Sequence, residues 1–282
     1  MTIDHAELAR ECAAIARTAG AAIMRIYDAD YTIARKDDAS PLTAADLAAH
    51  HAIVDGLAAL TPQIPVLSEE SAEQAAWSER RGWTRYWLVD PLDGTREFIK
   101  HNGEFTVNIA LIEDGVPTLG VVYAPALDEM YTAWQGGHAY AETPRNDKFD
   151  DGARGVRHVA ISTRARATPL VVAGSRSHAD PRMLTALDKV GAHELISLGS
   201  SLKFCRTAQG KADLYVRHGL TSEWDTAAGQ CVLEQAGGGV TRLDGSRLTY
   251  NSKESLLNPD FLAFGDRSVD WAALLRDGSG SE

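Results

Sequence analysis

The run Trp87-Leu88-Val89-Asp90-Pro91-Leu92-Asp93-Gly94-Thr95 constrains this chain more than any other segment. Tyr86 to Val89 are large residues following one another without polar alternation, the pattern of a buried strand. The strand is expected to stop where the carboxylates begin. That would lift Asp90 and Asp93 out at the carboxyl end of a sheet, where open α/β sheets place their ligands. Two carboxylates held close together repel unless a cation lies between them, which asks for a hard metal such as Mg²⁺. Gly94-Thr95 followed by Arg96 and Glu97 reads as a helix start, and a helix N-terminus favours an anion. The plainer reading is a simple turn from strand to helix, since Asp, Pro and Gly are all turn residues.

With 282 residues, 44% of them hydrophobic, the chain is long enough for one large domain or two intimate halves. A net charge of −11 argues against a nucleic-acid polymer or an anionic membrane as the main partner. Cys12, Cys205 and Cys231 form neither a disulfide framework nor a zinc knuckle, which points to a reducing cytoplasm. The first residues lack the basic and apolar regions of a signal peptide, and no apolar run approaches a membrane span.

Leu8, Cys12, Ile15, Ala19, Ile23 and Ile26 recur at helical spacing, which predicts a helix over about 4–27. Thr43 to Asp46 opens a second helix, with Thr43 as its expected cap and Leu47, Val54 and Leu57 toward the core. Ile64 to Leu67 reads as a short strand ending at Ser68-Glu69-Glu70. Hairpins are expected about Glu113-Asp114-Gly115 and about Gln135-Gly136-Gly137. The polar stretch from Asn146 to Gly155 suggests a boundary. It divides residues 1–150, an α+β half rich in antiparallel strands and in candidate ligands, from residues 151–282, a more regular α/β half carrying Asp225.

Asp46, Glu69, Asp90 with Asp93, and Asp225 all stand where a predicted element begins or ends. Each one alone reads more readily as a helix cap or a solvated turn than as a ligand. Taken in order, Glu69-Glu70, Asp90-Pro91-Leu92-Asp93-Gly94-Thr95 and Trp224-Asp225-Thr226-Ala227-Ala228-Gly229 resemble the signature of the Mg²⁺-dependent phosphatases related to inositol monophosphatase. The resemblance runs from Lys36-Asp37-Asp38 to the final strand near Phe264. It implies a layered α-β-α-β-α sandwich and two or three Mg²⁺ ions held by Glu69, Asp90, Asp93, Asp225 and the Leu92 carbonyl. It also implies that Thr95 and Asp46 orient and deprotonate an attacking water, while main-chain groups of Gly94 and Thr95 hold phosphate. Such chemistry is sound for ester hydrolysis, because a hard cation lowers the pKa of water and screens the leaving oxygen. A competing phosphotransferase motif, Asp-x-Asp-Gly-Thr, has one residue between its aspartates where this chain has Pro91 and Leu92.

Phe98 to Leu111, Val121 to Pro125, Ser175-Arg176-Ser177-His178 and Gly199 to Cys205 are similar to stretches of the bacterial 3′(2′),5′-bisphosphate nucleotidases. That likeness implies a phosphorylated nucleotide as substrate, adenosine 3′,5′-bisphosphate going to AMP and phosphate in sulfur metabolism. Relatives of this kind have been associated with the inner membrane, although no segment here would insert. A second phosphate lies beyond reach of the acidic cluster, so an acidic protein must meet it with local cations or N–H groups. Lys203 beside Ser200, together with His178, suits that task. Two other functions stay open. An inositol monophosphate phosphatase would share the metal chemistry without needing Lys203. A non-catalytic nucleotide-binding regulator would need no water-activating pair.

Overall fold

The computed structural model describes residues 4–29, 41–148, 154–175, 181–188 and 190–276. The helix α1 (His5–Tyr27) starts on Asp4, whose carboxylate accepts the Ala6 N–H at 3.0 Å. The next helix, α2, spans Pro41–Leu60. It begins before Thr43, which therefore lies inside its first turn and is not the cap. Proline suits that opening position because its missing N–H would have no partner there. The buried face of α2 is Ala45, Ala49, Ile53 and Leu57, one turn apart, and this rotation leaves Leu47 exposed.

A first sheet follows: β1 (Val66–Ser68), β2 (Arg85–Asp93), β3 (Thr106–Glu113), β4 (Val116–Ala124), β5 (Glu129–Trp134), β6 (Ala139–Lys148) and β7 (Arg154–Ile161). Two short helices interrupt it, α3 (Trp77–Arg80) and α4 (Thr95–Ile99). Its strands lie side by side in chain order. β1 runs parallel to β2, and each later neighbour is antiparallel. The polar stretch after Asn146 joins β6 to β7 within this sheet, and the chain passes to the second sheet between Ile161 and Leu170. That second sheet holds β8 (Leu170–Ser175), β9 (His193–Leu198), β10 (Leu214–Arg217), β11 (Gly239–Arg242) and β12 (Phe261–Phe264), in the order β11-β12-β10-β8-β9. Its helices are α5 (Pro181–Leu187), α6 (Leu202–Ala208), α7 (Ala227–Gln235) and α8 (Trp271–Arg276).

Alternation along the strands sorts the core into layers. Trp87, Val89, Ile109, Leu111, Val121 and Tyr123 pack on α1 and α2. Their neighbours Tyr86, Leu88, Ala110, Ile112 and Val122 face α6 and α7 on the other side. Those two helices also meet Tyr215, Phe261 and Ala263 of the second sheet, whose far face packs on Leu187 and Trp271. The result is the expected five-layered α-β-α-β-α sandwich. It explains why the strand at Tyr86 lacks polar alternation, since helices cover both of its faces.

The middle layers approach closely at Gly120 of β4. A side chain there would put Cβ 2.5 Å from the Ala228 carbonyl oxygen and 2.8 Å from Cys231 Cβ of α7. Gly120→Val is therefore expected to push α7 off the sheet and to destabilise the fold by about 1–3 kcal/mol. Chemical denaturation measures this, and an unchanged midpoint would refute the close contact.

Candidate active site

The strand β2 does not stop at Val89. It continues to Asp93 through a register shift against β3, with Asp90 opposite Asn108 and Asp93 opposite Thr106. Pro91 and Leu92 sit in this bulge, where a residue without an N–H breaks no ladder. The Leu92 N–H instead donates to Asp90 Oδ1 at 3.0 Å, and the Leu92 side chain is buried among the residues under α1 and α2. The two aspartates are thus presented by a bulge at the carboxyl end of β2, the end where the sequence places them, but still within the sheet and not beyond it. Gly94 follows at φ +94°, and a Cβ there would lie 3.2 Å from Ser200 Cβ and 3.3 Å from the Glu104 carbonyl oxygen.

Asp225 arrives from farther along the chain, in the 3-10 turn Glu223–Asp225 that precedes α7, where its carboxylate accepts the Ser222 N–H at 2.8 Å. One carboxylate oxygen each from Asp90, Asp93 and Asp225 lie within 4.8 Å of one another. A hydroxyl and an amide tie these segments together here. Ser201 Oγ lies 3.2 Å from Asp93 Oδ2 and 2.9 Å from the Asp225 carbonyl oxygen, and it accepts from Asn108 Nδ2 at 3.0 Å. Thr106 Oγ1 in turn donates to Asn108 Oδ1 at 3.1 Å.

Glu69 begins the 3-10 turn after β1 and joins the cluster from beside β2, where Ser68 is opposite Val89. Burial first, then the Asp46 and Asp93 charges, raise the Glu69 carboxyl to about 7. Part of that side chain still faces solvent. Asp225 is raised to about 7 by burial and by Asp93. Asp46 reaches about 7 through burial and Glu70. Asp90 is pushed well above the usual carboxylate range by burial and by the four acids around it, Glu69, Asp93, Asp225 and Asp46. Asp93 is also raised by burial, against the opposing pull of Lys203 and Ser201. Crowded carboxyls that hold protons this firmly are short of positive charge, and an all-oxygen donor set fits a hard divalent cation. His50 is not among the clustered acids, and its Nδ1 lies 2.8 Å from Ser68 Oγ.

A cavity of about 260 Å³ opens beside Asp93 and Asp225. Gly94, Thr95 and Ser200 line it, and so do the cations Arg96, Lys203 and Arg217. Its acidic and basic residues thus give it two electrostatic characters, one suited to a metal and the other to an anion. Lys203 is only 6% exposed, which excludes a helix-surface lysine. Two of its three N–H donors go to the carbonyls of Ser200 at 2.6 Å and Leu198 at 3.3 Å. Burial lowers its pKa to about 8, and Asp93 resists that fall. Ser200 takes a positive φ of 38°, and its hydroxyl donates to the Glu104 carbonyl at 3.0 Å. Gly199 has no room for a side chain, since a Cβ would lie 2.5 Å from that same carbonyl oxygen.

Thr95 opens α4, is exposed and lines the cavity. Asp46 stands on α2, which packs against α4, and no hydrogen bond joins the two side chains. The structure therefore brings Glu69, Asp90, Asp93 and Asp225 together with Asp46 in their field, and sets Gly94, Thr95, Ser200 and Lys203 around one cavity. His178 and Arg176 lie outside the described residues, as does the stretch from Lys36 to Ser40. Sequence reasoning missed Arg217, whose Nε is buried without a hydrogen-bond partner at the cavity wall. A lone arginine ending a strand carries no motif, so only the fold could reveal it.

Comparison with known proteins agrees with this geometry. The profile of the inositol monophosphatase family matches residues 4–268. The chain is 54% identical over 249 residues to the 3′(2′),5′-bisphosphate nucleotidase CysQ of Salmonella typhimurium, covering 88% of this chain and 95% of that protein. Its identity to the CysQ of Escherichia coli strain K12 is 52% over the same length and shares. Among solved structures, CysQ from Bacteroides thetaiotaomicron, a bacterial member of the inositol monophosphatase family, superposes with a TM-score of 0.79 at 41% identity, covering 93% of this chain and 98% of that one. No helix among the described residues is long and apolar enough to cross a membrane.

The raised carboxyls set a pH dependence. A carboxyl raised in the fold keeps its proton after the unfolded chain has lost it. The metal-free fold should therefore lose stability as pH climbs from about 4 to about 7, and a bound dication should restore it. In thermal melts, Mg²⁺ is expected to raise Tm by several degrees more at about pH 8 than at about pH 5.5. An equal shift at both pH values would contradict the linkage.

Proposed function

The chain belongs to the inositol monophosphatase family, and on that premise we propose that it removes the 3′-phosphate of adenosine 3′,5′-bisphosphate, leaving AMP and phosphate. The observation that carries this reading is the cavity itself, which has Asp93 and Asp225 together with Lys203 and Arg217 in its wall. A substrate with two separated phosphates uses both kinds of residue, whereas a monophosphate uses one. The identity to enzymes named for this activity supports the same substrate.

When bound, Mg²⁺ held by Glu69, Asp90, Asp93, Asp225 and the Leu92 carbonyl supplies positive charge for the phosphoryl oxygens and makes a nearby water more acidic. The main-chain N–H groups of Gly94 and Thr95 hold the reacting phosphate at the start of α4. The Thr95 hydroxyl orients the attacking water. Asp46, raised to about 7, accepts a proton near neutral pH. In this proposal the proton passes from Thr95 to Asp46 through water, the two side chains sharing no hydrogen bond. The P–O bond to the ribose 3′-oxygen then breaks, and that oxygen leaves with a proton from solvent. Lys203, Arg217 and the Ser200 backbone hold the 5′-phosphate, and His178 keeps the role the resemblance implies, a hydrogen bond to phosphate or ribose. A cytoplasmic place of action belongs to this proposal.

Phosphate release from adenosine 3′,5′-bisphosphate, inositol 1-phosphate and fructose 1,6-bisphosphate, with and without Mg²⁺, tests the substrate. The nucleotide should show the highest kcat/KM and require the metal, and a preference for inositol 1-phosphate would overturn the assignment. Asp93→Asn is expected to reduce kcat by at least about 100-fold while the protein stays folded. Arg217→Ala should raise KM for the bisphosphate by about ten- to a hundredfold and leave adenosine 3′-monophosphate nearly unaffected. Lys203→Ala should weaken the bisphosphate by about 2–5 kcal/mol. Unchanged bisphosphate kinetics in both of these variants would remove the basic residues from the mechanism.

A further inference from the structure

Leu220 is 74% exposed, more than the other large apolar side chains left in solvent, Leu47, Ile99, Leu195 and Leu257. Among these five it is the one that lines the cavity. An isolated surface leucine needs no explanation, but an exposed leucine at the wall of a charged cavity does.

The loop beneath Leu220 is held firmly. Gly219, at φ +103°, turns the chain and donates its N–H to Asp260 Oδ1 at 3.0 Å. His218 Nδ1 lies 3.0 Å from the other oxygen of Asp260. The Leu220 carbonyl accepts from Arg217 Nη2 at 3.0 Å, and the next residue, Thr221, accepts the Asn258 N–H at 2.7 Å. Backbone and neighbours are therefore fixed while the side chain stays in water. This is a preformed apolar ledge, coupled through its own carbonyl to an arginine of the same cavity wall.

Resting on the nucleotide reading above, we propose that Leu220 is a specificity residue whose side chain packs against the purine base. Phosphates and ribose hydroxyls are polar and are matched by Lys203, Arg217 and the main chain of Gly94 and Thr95. The base is the one part of such a substrate with a broad apolar face, and Leu220 is the large apolar side chain in the cavity wall that is free to cover it. The ledge thus selects nucleoside bisphosphates over sugar bisphosphates, which offer no flat surface to bury.

The test compares Leu220→Ser and Leu220→Met with the unchanged chain, each checked by thermal melting. One ligand is adenosine 3′,5′-bisphosphate, read as KM. The other is 1-deoxyribofuranose 3,5-bisphosphate, the same sugar bisphosphate with hydrogen in place of the base, read as a competitive Ki. Leu220→Ser should raise KM for the nucleotide about five- to tenfold, leave Ki for the abasic compound within about twofold, and be rescued by Leu220→Met. Equal losses for both ligands would place Leu220 against the sugar or show a distorted loop, and no loss for either would show an idle side chain. Both results overturn the proposal. Failure of the nucleotide reading itself would be seen first in the unchanged chain, as a preference for inositol 1-phosphate, and the base contact would fall with it.

Discussion

Mutual repulsion among Asp90, Asp93, Asp225 and Glu69 is the constraint on which the rest of this molecule depends. Carboxylates brought within a few ångströms either take up protons or find a cation, and these are held where both tendencies are strong. No single element could keep them there. The bulge in β2 fixes two, the turn before α7 brings a third, and the end of β1 adds the fourth. The Ser201 hydroxyl spans the seam, touching Asp93 on one side and the Asp225 carbonyl on the other. Stability is given up at this cluster, a trade found where function opposes local packing.

The layered architecture serves that arrangement. Helices on both faces of the first sheet make β2 a buried strand, and a buried strand lends its bulge a fixed geometry. α6 and α7 lie between the sheets, so Ser201, which caps α6, meets Asp225 in the turn just before α7. Close approach at Gly120 and at Gly199 keeps these layers in register. A displacement at either glycine would be felt at the acids, although neither residue touches them.

Much of the fold was legible in the chain. Periodicity at Leu8, Cys12 and Ile23 located α1, and the turn residues at Glu113-Asp114-Gly115 and Gln135-Gly136-Gly137 located two hairpins, because local patterns report local structure. The cap at Thr43 and the core position of Leu47 were misread. A helix start and a helix rotation depend on what packs against the helix, and α2 is rotated so that Ala45, Ala49, Ile53 and Leu57 are inward. The strand end at Val89 was misread for a similar reason. Proline and aspartate favour a turn, but β3 supplied partners on both sides of the bulge and the ladder continued.

What the sequence by itself determined was the chemistry. Asp90, Asp93, Asp225, Glu69 and Thr95 stand in motifs whose residue types and order mark them before any coordinates exist. What only the tertiary structure decided was the company these residues keep. Lys203 and Arg217 meet Asp93 at one cavity, and Leu220 stands in the wall with them, because α6, β10 and the loop after it converge on the bulge of β2. Such convergence joins residues more than a hundred positions apart in the chain. No local pattern encodes it, since it arises from the packing of layers and not from the preferences of any one segment.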